Sequence, residues 1–305
     1  PNDTPADGLW PETMYKAMEL IGWNEPLPEG RGRGLAVGLK SSATTGLSYS
    51  MVRLLADGSV LVYAGTSDMG QGARTIFAQI AANEMGTPID QVSVIMGDTS
   101  VVPYDQQTSA SRSTVFMGNA IMRACRDIQD QVRVMAAAAE GVPQDQVAVE
   151  EGTVSLPARD IPLIDVVKAS LGKLGGEVIG NGMYRKEVQP EHPLGGSPAF
   201  YEFNCTANEL SVDEDTGHIT IHKHVIVGDT GRSLNPQQVA GQDEGAAIQG
   251  LGHTLMEHMI LDEHGTIRKL GAIDYRIPAS MDLPLPIGCA AIENEAGPGP
   301  EGAQG

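Results

Sequence analysis

The chain has 305 residues, enough to bury a full core as one large domain or as two lobes. Its 20 lysines and arginines against 39 aspartates and glutamates leave a net charge of −19, which argues against binding to nucleic acid or to an anionic membrane surface. Its three cysteines form no Cys-x-x-Cys pair, so neither a disulfide framework nor a four-thiolate metal site is expected. The sequence shows no apolar leader and no run of about 18 apolar residues, so a cytoplasmic protein without a membrane span is expected.

Residues 1–30 are predicted to form a connecting arm that carries one short helix. Pro11 is a favourable residue at the start of that helix. The apolar residues of the helix would share one face: Met14, Ala17, Met18 and Ile21. The segment 24–34, rich in proline, glycine and glutamate, then reads as a linker.

Residues 31–190 form the predicted first lobe, in which strands and helices are mixed. Strand patterns run from 34 to 64, with a hairpin at Asp57-Gly58 between two apolar runs. A helix is predicted over 73–85, because an apolar stripe ends there at Gly86. Further predicted elements follow it: a strand at 91–98, a helix from 116 to 140, a hairpin at 147–156 and a short helix near 164–172.

Residues 191–305 form the predicted second lobe, since the segment 188–200 is rich in proline and glycine. Its predicted elements are two strands joined across 214–217, a polar loop at 233–245, a helix of small residues at 246–260 and a hairpin near 262–265. Strands and helices mixed without regular βαβ alternation predict an α+β fold with two lobes.

The stretch before helix 73–85 is the first candidate site. Gly70 and Gly72 lack the Cβ atoms that would keep a ligand from the main chain, and free N–H groups at a helix start attract an anion. The carboxamide of Gln71 can donate and accept hydrogen bonds at once. These features suit a polar, partly anionic cofactor. A plain turn, in which glycine only permits a positive φ, is the alternative, and neither G-x-G-x-x-G nor a phosphate loop is present.

A second candidate site precedes helix 116–140. Four hydroxyl side chains surround Arg112 there, more than one helix cap needs: Ser109, Ser111, Ser113 and Thr114. A guanidinium can fork onto a phosphate, so the cluster suits a pyrophosphate or the edge of a pterin. In the second lobe Gln242, ahead of helix 246–260, is either a ligand contact or a solvent-facing loop residue.

The histidines do not predict a metal site. His218, His222 and His224 would lie on the polar face of one strand. His253 and His258 lack the H-E-x-x-H spacing that places two imidazoles one helical turn apart. No G-x-S-x-G sequence supports a serine hydrolase.

Four ordered motifs together resemble the molybdenum hydroxylases, the family of xanthine dehydrogenase and aldehyde oxidoreductase. They occupy residues 65–86, 98–124, 229–252 and 297–305. The resemblance extends from about Gly34 to Gly305 and corresponds to the second, C-terminal half of the molybdopterin-binding subunit.

The resemblance implies cofactor contacts at named positions of this chain. It assigns pterin contacts to Gly70, Gln71 and Gly72 next to Met69, the pterin phosphate region to Ala110, Ser111, Arg112 and Ser113, and a further pterin contact to Gln242. Gln304, which stands in the terminal motif where the family usually has lysine, is counted as a further cofactor contact. The molybdenum is held by the dithiolene of molybdopterin, expected in its cytosine dinucleotide form, so no protein ligand to the metal is implied.

The resemblance also implies an enzyme that needs partners. It would hydroxylate a carbon of an N-heteroaromatic compound, nicotinate first, or of an aldehyde, using water and passing two electrons to iron–sulfur and FAD partner chains. The family's general-base glutamate would follow Gly305, so no catalytic residue is assigned. The motifs of the first half are expected on another chain, as in nicotinate dehydrogenase, or on an upstream segment, with the split form the more economical of the two. A carbon monoxide dehydrogenase-type subunit and a non-catalytic assembly subunit are the alternatives.

Overall fold

The computed structural model describes residues 8–42, 46–172, 175–185, 198–268, 271–283 and 287–304. Within these ranges the predicted α+β class is confirmed, with helices packed on mixed sheets. Two compact units divide the chain: unit 1 holds Ser41–Tyr201 and Glu295–Gly305, and unit 2 holds Gly8–Lys40 and Glu202–Asn294.

The helices and strands are numbered here in chain order. The helices are α1 (Trp10–Ile21), α2 (Ala73–Met85), α3 (Gly118–Glu140), α4 (Leu163–Leu171) and α5 (Pro236–Leu255). The strands are β1 (Arg31–Ser41), β2 (Ser48–Leu55), β3 (Val60–Ala64), β4 (Val92–Met96), β5 (Ala148–Glu150), β6 (Thr153–Ser155), β7 (Asp160–Pro162), β8 (Glu177–Tyr184), β9 (Tyr201–Val212), β10 (Ile219–Asp229) and β11 (Ile287–Ile292). None of the helices in the described ranges is long and apolar enough to cross a bilayer.

The main sheet of unit 1 has the strand order β4-β3-β2-β8. Strands β2 and β3 form the predicted hairpin, in which Val52 pairs with Val62, and β3 runs parallel to β4 across α2. The helix predicted at 73–85 is confirmed, and Gly86 ends it with a left-handed φ of 58°. A second, smaller sheet joins β5, β6 and β7.

Helix α3 packs closely on β8, because two glycines of that strand face its backbone. A Cβ added to Gly182 would lie 1.9 Å from the carbonyl oxygen of Ala120, and one added to Gly180 would lie 2.0 Å from that of Ala124. No side chain fits at either position, since such distances lie far inside van der Waals contact. Strand β8 therefore depends on its glycines for its place beneath the helix.

The sheet of unit 2 has the order β1-β9-β10-β11, and β10 pairs antiparallel with β9 and parallel with β11. Helix α1 covers one face of this sheet. The buried residues of the resulting core are Ala17, Ile21, Cys205, Ala207, Val225 and Val227. At the start of α1 the ring of Trp10 stacks on Phe203 with centroids 4.8 Å apart.

A buried carboxylate ties the two ends of unit 2 together. Asp229 is 4% exposed, and its oxygens accept hydrogen bonds from the backbone N–H of Leu9 at 2.5 Å, from that of Gly231 at 3.1 Å and from Asn294 Nδ2 at 2.7 Å. Because a buried carboxylate needs donors, this cluster fixes the entry of the chain into α1 beside the end of β10.

The units do not follow the predicted lobe boundaries at 30/31 and 190/191. Residues 8–40 fall in unit 2, because the apolar face of α1 belongs to that core. The boundary at 190/191 lies outside the described residues, and the chain changes unit at 201/202 and again at 294/295.

Several predicted elements need correction. The sequence patterns indicate no strand at the positions of β8 and β11. The predicted loop 233–245 is helical from Pro236 onward, because Asn235 caps α5 by accepting a hydrogen bond from Gln238 N. The predicted helix 116–140 begins instead with a π-helical turn, Ser113–Met117, followed by α3.

Candidate functional site

The glycine loop, residues 67–72, leads from β3 into α2 with an exposed backbone. Gly70 and Gly72 have φ values of 104° and 84°, a region that favours glycine. A Cβ added to Gly70 would meet no atom within 4 Å in the described parts of the chain, and Met69 is 72% exposed. The side of Gly70 on which a Cβ would lie therefore faces open space, which leaves room for a ligand to approach the backbone there.

The start of α2 already holds an anion, the carboxylate of Asp68. Its two oxygens accept from the backbone N–H of Arg74 and of Gly70, each at 3.0 Å. The N–H of Arg74 first, and those of Gly70 and Gly72 with it, hold the pKa of Asp68 below its usual range. The expectation that the first N–H groups of this helix are free for a ligand is therefore wrong at Arg74.

The carboxamide of Gln71 folds back onto its own loop. Its Oε1 accepts from the backbone N–H of Met69 at 2.6 Å, and its Nε2 donates to the carbonyl oxygen of Ser67 at 2.9 Å. To contact a ligand with both ends, this side chain has to leave the two hydrogen bonds.

The serine turn, residues 109–113, has a strained backbone. Ala110 and Ser111 both have a φ of 51°, which is uncommon for residues other than glycine. The π-helical turn that begins at Ser113 follows directly. Strained backbones and π-helical turns both concentrate at functional sites, so this geometry supports a ligand-binding role for the turn.

Arg112 does not present its charge to solvent, in contrast to the prediction that it forks onto a phosphate. Its side chain is 1% exposed, and Nη1 donates to Asp105 Oδ1 at 2.8 Å. Nη2 donates to Ser48 Oγ at 2.9 Å, and the guanidinium lies 4.9 Å from the ring centroid of Phe116. A buried cation needs a partner, and Asp105 supplies it. Arg112 therefore supports the serine turn from within the core.

The terminal motif packs against the start of α3. Asn119 Nδ2 donates to the carbonyl oxygen of Pro298 at 2.9 Å, and a Cβ added to Gly118 would lie 2.9 Å from Pro300 Cγ. Gln304 is 4% exposed in this loop. Because α3 directly follows the serine turn through its π-helical turn, unit 1 brings the terminal motif to the same helix start.

Gln242 lies in unit 2, on the exposed side of α5. Only Ala247 and Gly252 of that helix are buried. Its neighbour Asp243 points inward, where burial raises the pKa of the carboxyl to about 6. The thiol of Cys289 lies 3.9 Å from that carboxyl, and burial followed by the charge of Asp243 raises its pKa to about 11. Gln242 is thus a helical residue, and the loop predicted around it is not formed.

No group of three histidine, cysteine, aspartate or glutamate side chains that could hold a metal ion occurs in the described ranges. Two of the strand histidines pair with neighbouring polar residues: His222 Nε2 with Ser211 Oγ at 2.8 Å and His224 Nδ1 with Asn208 Oδ1 at 2.6 Å. His224 is 4% exposed and burial lowers its pKa, so it belongs to the interior and not to an exposed polar face.

Two acidic residues escaped prediction. Asp68 lies within the glycine loop, and its position ahead of a helix start is a signal that sequence alone offers. Asp105 lies within a polar segment and gains its importance only from Ser48 and Arg112, which the fold brings to it. No local pattern marks such a residue.

Comparison with known proteins adds three findings. Residues 16–284 match the profile of the family described as the molybdopterin cofactor-binding domain. The probable hypoxanthine oxidase XdhD of Escherichia coli strain K12 is 27% identical over 301 residues, which are 96% of this chain and 30% of that protein. The xanthine dehydrogenase molybdenum-binding subunit of Escherichia coli O157:H7 is 29% identical over 294 residues, 90% of this chain and 38% of that protein.

A solved structure has the same fold. Reconstituted CO dehydrogenase from Oligotropha carboxidovorans superimposes with a TM-score of 0.83 at 22% identity, over 98% of this chain and 40% of that one. The chain thus spans about a third of the length of the curated relatives it matches.

Proposed function

The chain belongs to the molybdopterin cofactor-binding domain family, and from this premise we propose that it is the cofactor-holding part of a molybdenum hydroxylase. The reaction proposed is hydroxylation of a carbon atom with oxygen from water, on an N-heteroaromatic substrate, nicotinate first, or on an aldehyde. Relatives named as a hypoxanthine oxidase and as a xanthine dehydrogenase subunit support the N-heteroaromatic class.

The observation that carries the proposal is the open backbone of the glycine loop beside the strained serine turn in unit 1. A Cβ added to Gly70 would meet nothing within 4 Å in the described ranges, so a flat, polar cofactor has room on that side of the main chain, while the N–H of Gly70 donates to Asp68 Oδ1. When bound, molybdopterin with its molybdenum supplies the redox chemistry, and the protein supplies binding and orientation.

The proposed contacts follow the predicted residues with one change of role. Gly70, Gln71 and Gly72 would hold the pterin, and Ala110, Ser111 and Ser113 would hold its phosphate region, with the hydroxyls as donors. Gln242 and Gln304 are proposed as further pterin contacts on the resemblance alone. Arg112, a residue of the serine turn, stabilises that turn from its buried side instead of contacting the phosphate, because its donors are directed to Asp105 and Ser48.

We propose that the working enzyme includes further chains: one with the first half of the molybdopterin subunit, one with iron–sulfur clusters and one with FAD. Support comes from the name of one relative as a molybdenum-binding subunit. The cofactor is proposed in its cytosine dinucleotide form. Three free cysteines support a cytoplasmic setting, where thiols stay reduced.

A non-catalytic assembly subunit is the second candidate. The observation that favours it is the closed hydrogen bonding of the glycine loop, in which Gln71 and Asp68 bind backbone groups of their own segment. A carbon monoxide dehydrogenase-type subunit gains no separate support, since that structural likeness at 22% identity concerns the fold.

Molybdenum and pterin measured by mass in the complex isolated with its partner chains test the proposal. We expect near-stoichiometric molybdenum in the wild type and a marked loss in Gln71→Ala, at a cost of about 1 kcal/mol or less in stability because the side chain lies on an exposed loop. The matched control is Gln131→Ala, since Gln131 Nε2 also donates to a backbone carbonyl, that of Ile179, at 2.8 Å in an exposed hydrogen bond. A folded wild-type complex without molybdenum would instead favour the assembly subunit.

A further inference from the structure

The two proposed cofactor loops share one buried carboxylate. Thr66, directly before the glycine loop, donates its hydroxyl to Asp105 Oδ2 at 2.6 Å. Arg112, inside the serine turn, donates Nη1 to Asp105 Oδ1 at 2.8 Å. The side chains of Asp105 and Arg112 are each 1% exposed. One carboxylate therefore holds the residue that leads into the glycine loop through one oxygen and a residue of the serine turn through the other.

Ser48 of strand β2 completes the hydrogen-bonded cluster formed by Thr66, Asp105 and Arg112. Ser48 is fully buried; its hydroxyl donates to Asp105 Oδ1 at 2.6 Å and accepts from Arg112 Nη2 at 2.9 Å. Gly65 lets the backbone approach, because a Cβ added there would lie 2.8 Å from Asp105 Cβ and 2.7 Å from the carbonyl oxygen of Pro103. The rigid sheet thus supports the carboxylate that both loops use.

A second tie joins the same two segments at the surface. Thr108 Oγ1 accepts from the backbone N–H of Ser67 at 3.0 Å and donates to its carbonyl oxygen at 3.1 Å. The same carbonyl oxygen accepts from Gln71 Nε2. Displacement of one loop therefore disturbs the hydrogen bonds of the other.

We propose that Asp105 is a positioning residue that sets the glycine loop and the serine turn at a fixed spacing, an inference that rests on the proposed function. A turn with two residues at positive φ persists only when its surroundings over-determine it. The buried pair of Asp105 and Arg112 supplies that constraint, since a buried cation separated from its partner is strongly disfavoured. The cofactor would then bind to loops that are already in place, which lowers the ordering cost of binding.

A pair of serine variants tests the proposal. Ser48→Ala removes one hydroxyl from the cluster, whereas the matched control Ser50→Ala removes a hydroxyl from the same strand. Ser50 is 2% exposed and donates to the carbonyl oxygen of Tyr63 at 3.0 Å, away from both loops. Asp105→Asn, which keeps the shape and removes the charge, is the stronger variant.

The readout is amide hydrogen exchange by mass spectrometry on the isolated complex, with the midpoint of thermal unfolding as a second measurement. We expect Ser48→Ala to speed exchange about tenfold in both 67–72 and 109–113, and Asp105→Asn to do so at least as much, because local opening is set by the bonds that hold a segment closed. Ser50→Ala should leave both segments unchanged although its unfolding midpoint falls similarly.

Faster exchange in one segment alone, or equal acceleration in Ser48→Ala and Ser50→Ala, would overturn the proposal. Molybdenum content in the same samples separates this test from that of the proposed function. A wild-type complex without molybdenum contradicts the proposed function, while the exchange pattern still decides whether Asp105 couples the loops. If Asp105→Asn does not fold, Ser48→Ala against Ser50→Ala gives the answer.

Discussion

Unit 1 and unit 2 present their predicted cofactor residues in different ways. In unit 1 the glycine loop and the serine turn rest on a fully buried ion pair, Asp105 with Arg112. In unit 2 Gln242 projects from an exposed helix whose inner side carries the half-buried Asp243. The comparison teaches that loops proposed to bind a rigid ligand through backbone atoms are supported by a buried polar network, because backbone positions cannot adjust by rotamer changes as the side chain of Gln242 can.

The units also differ in the space that surrounds the glycines of their strands. In unit 1 the strand β8 lies so near α3 that Gly182 has no room for a side chain. In unit 2 Gly34 of the edge strand β1 faces open space, since a Cβ added there would meet nothing within 4 Å among the described residues. A glycine-to-alanine substitution should therefore lower the free energy of unfolding more at Gly182 than at Gly34.

The largest expected effect is the difference in free energy of unfolding between Gly182→Ala and Gly34→Ala. The new Cβ at 182 would lie 1.9 Å from the carbonyl oxygen of Ala120, so α3 must move from the sheet. We expect a loss of about 4 kcal/mol in the free energy of unfolding, measured by urea denaturation. Gly34→Ala should change it by about 0.5 kcal/mol or less. Similar losses in both variants would remove the contrast between the units.

Asp229→Ala probes the buried carboxylate of unit 2. The substitution takes an acceptor from the backbone N–H groups of Leu9 and Gly231 in a buried setting. We expect a loss of about 2 to 3 kcal/mol in the free energy of unfolding. Asp229→Asn, which keeps one acceptor oxygen, should lose less. An unchanged stability of Asp229→Ala would mean that these donors find water in its place.

Asp243 gives unit 2 a pH dependence of a defined sign. Burial raises the pKa of its carboxyl to about 6 from a usual value of 3.8. The folded state then binds the proton more tightly than the unfolded chain does, so this group lowers the free energy of unfolding as pH rises from about 4 to about 6. With allowance for solvent screening, the change amounts to about 1 kcal/mol.

Asp243→Asn should abolish that contribution. Urea denaturation of the wild type and the variant at pH 4, 5, 6 and 7 measures it, and the gain in stability of the variant over the wild type should grow up to about pH 6 and then stay constant. A difference that does not vary with pH would show that Asp243 is solvated in the folded state.

The parts of the fold that could be predicted are those with local signals. The stripe of Phe77, Ile80 and Met85 with Gly86 behind it predicts α2 with its observed ends. Strand β8 could not be predicted in the same way, because its glycines at 180 and 182 resemble a loop and are explained only by contact with α3. The start of α5 had a usable signal in Asn235-Pro236, an N-cap followed by proline.

The residues of the candidate site also divide into those with a local sequence signal and those explained only by contacts with distant residues. Glycines before a helix indicate an exposed backbone, and the structure places Gly70 there. For Arg112 the sequence offers a cation among hydroxyls, and a ligand-binding arginine has the same local pattern as a buried one. The two cases are distinguished by the partners that the fold brings to Arg112, namely Asp105 and Ser48, of which Ser48 lies 64 residues away in the sequence.

Hydrogen exchange of the complex with and without its molybdopterin cofactor tests the central claim most directly, since that claim is that the loops of unit 1 hold the cofactor. We predict that bound cofactor slows exchange at 68–72 and 110–113, with the amides of Gly70 and Ser111 among those affected. Equal exchange in these two segments in the loaded and cofactor-free complexes would contradict it.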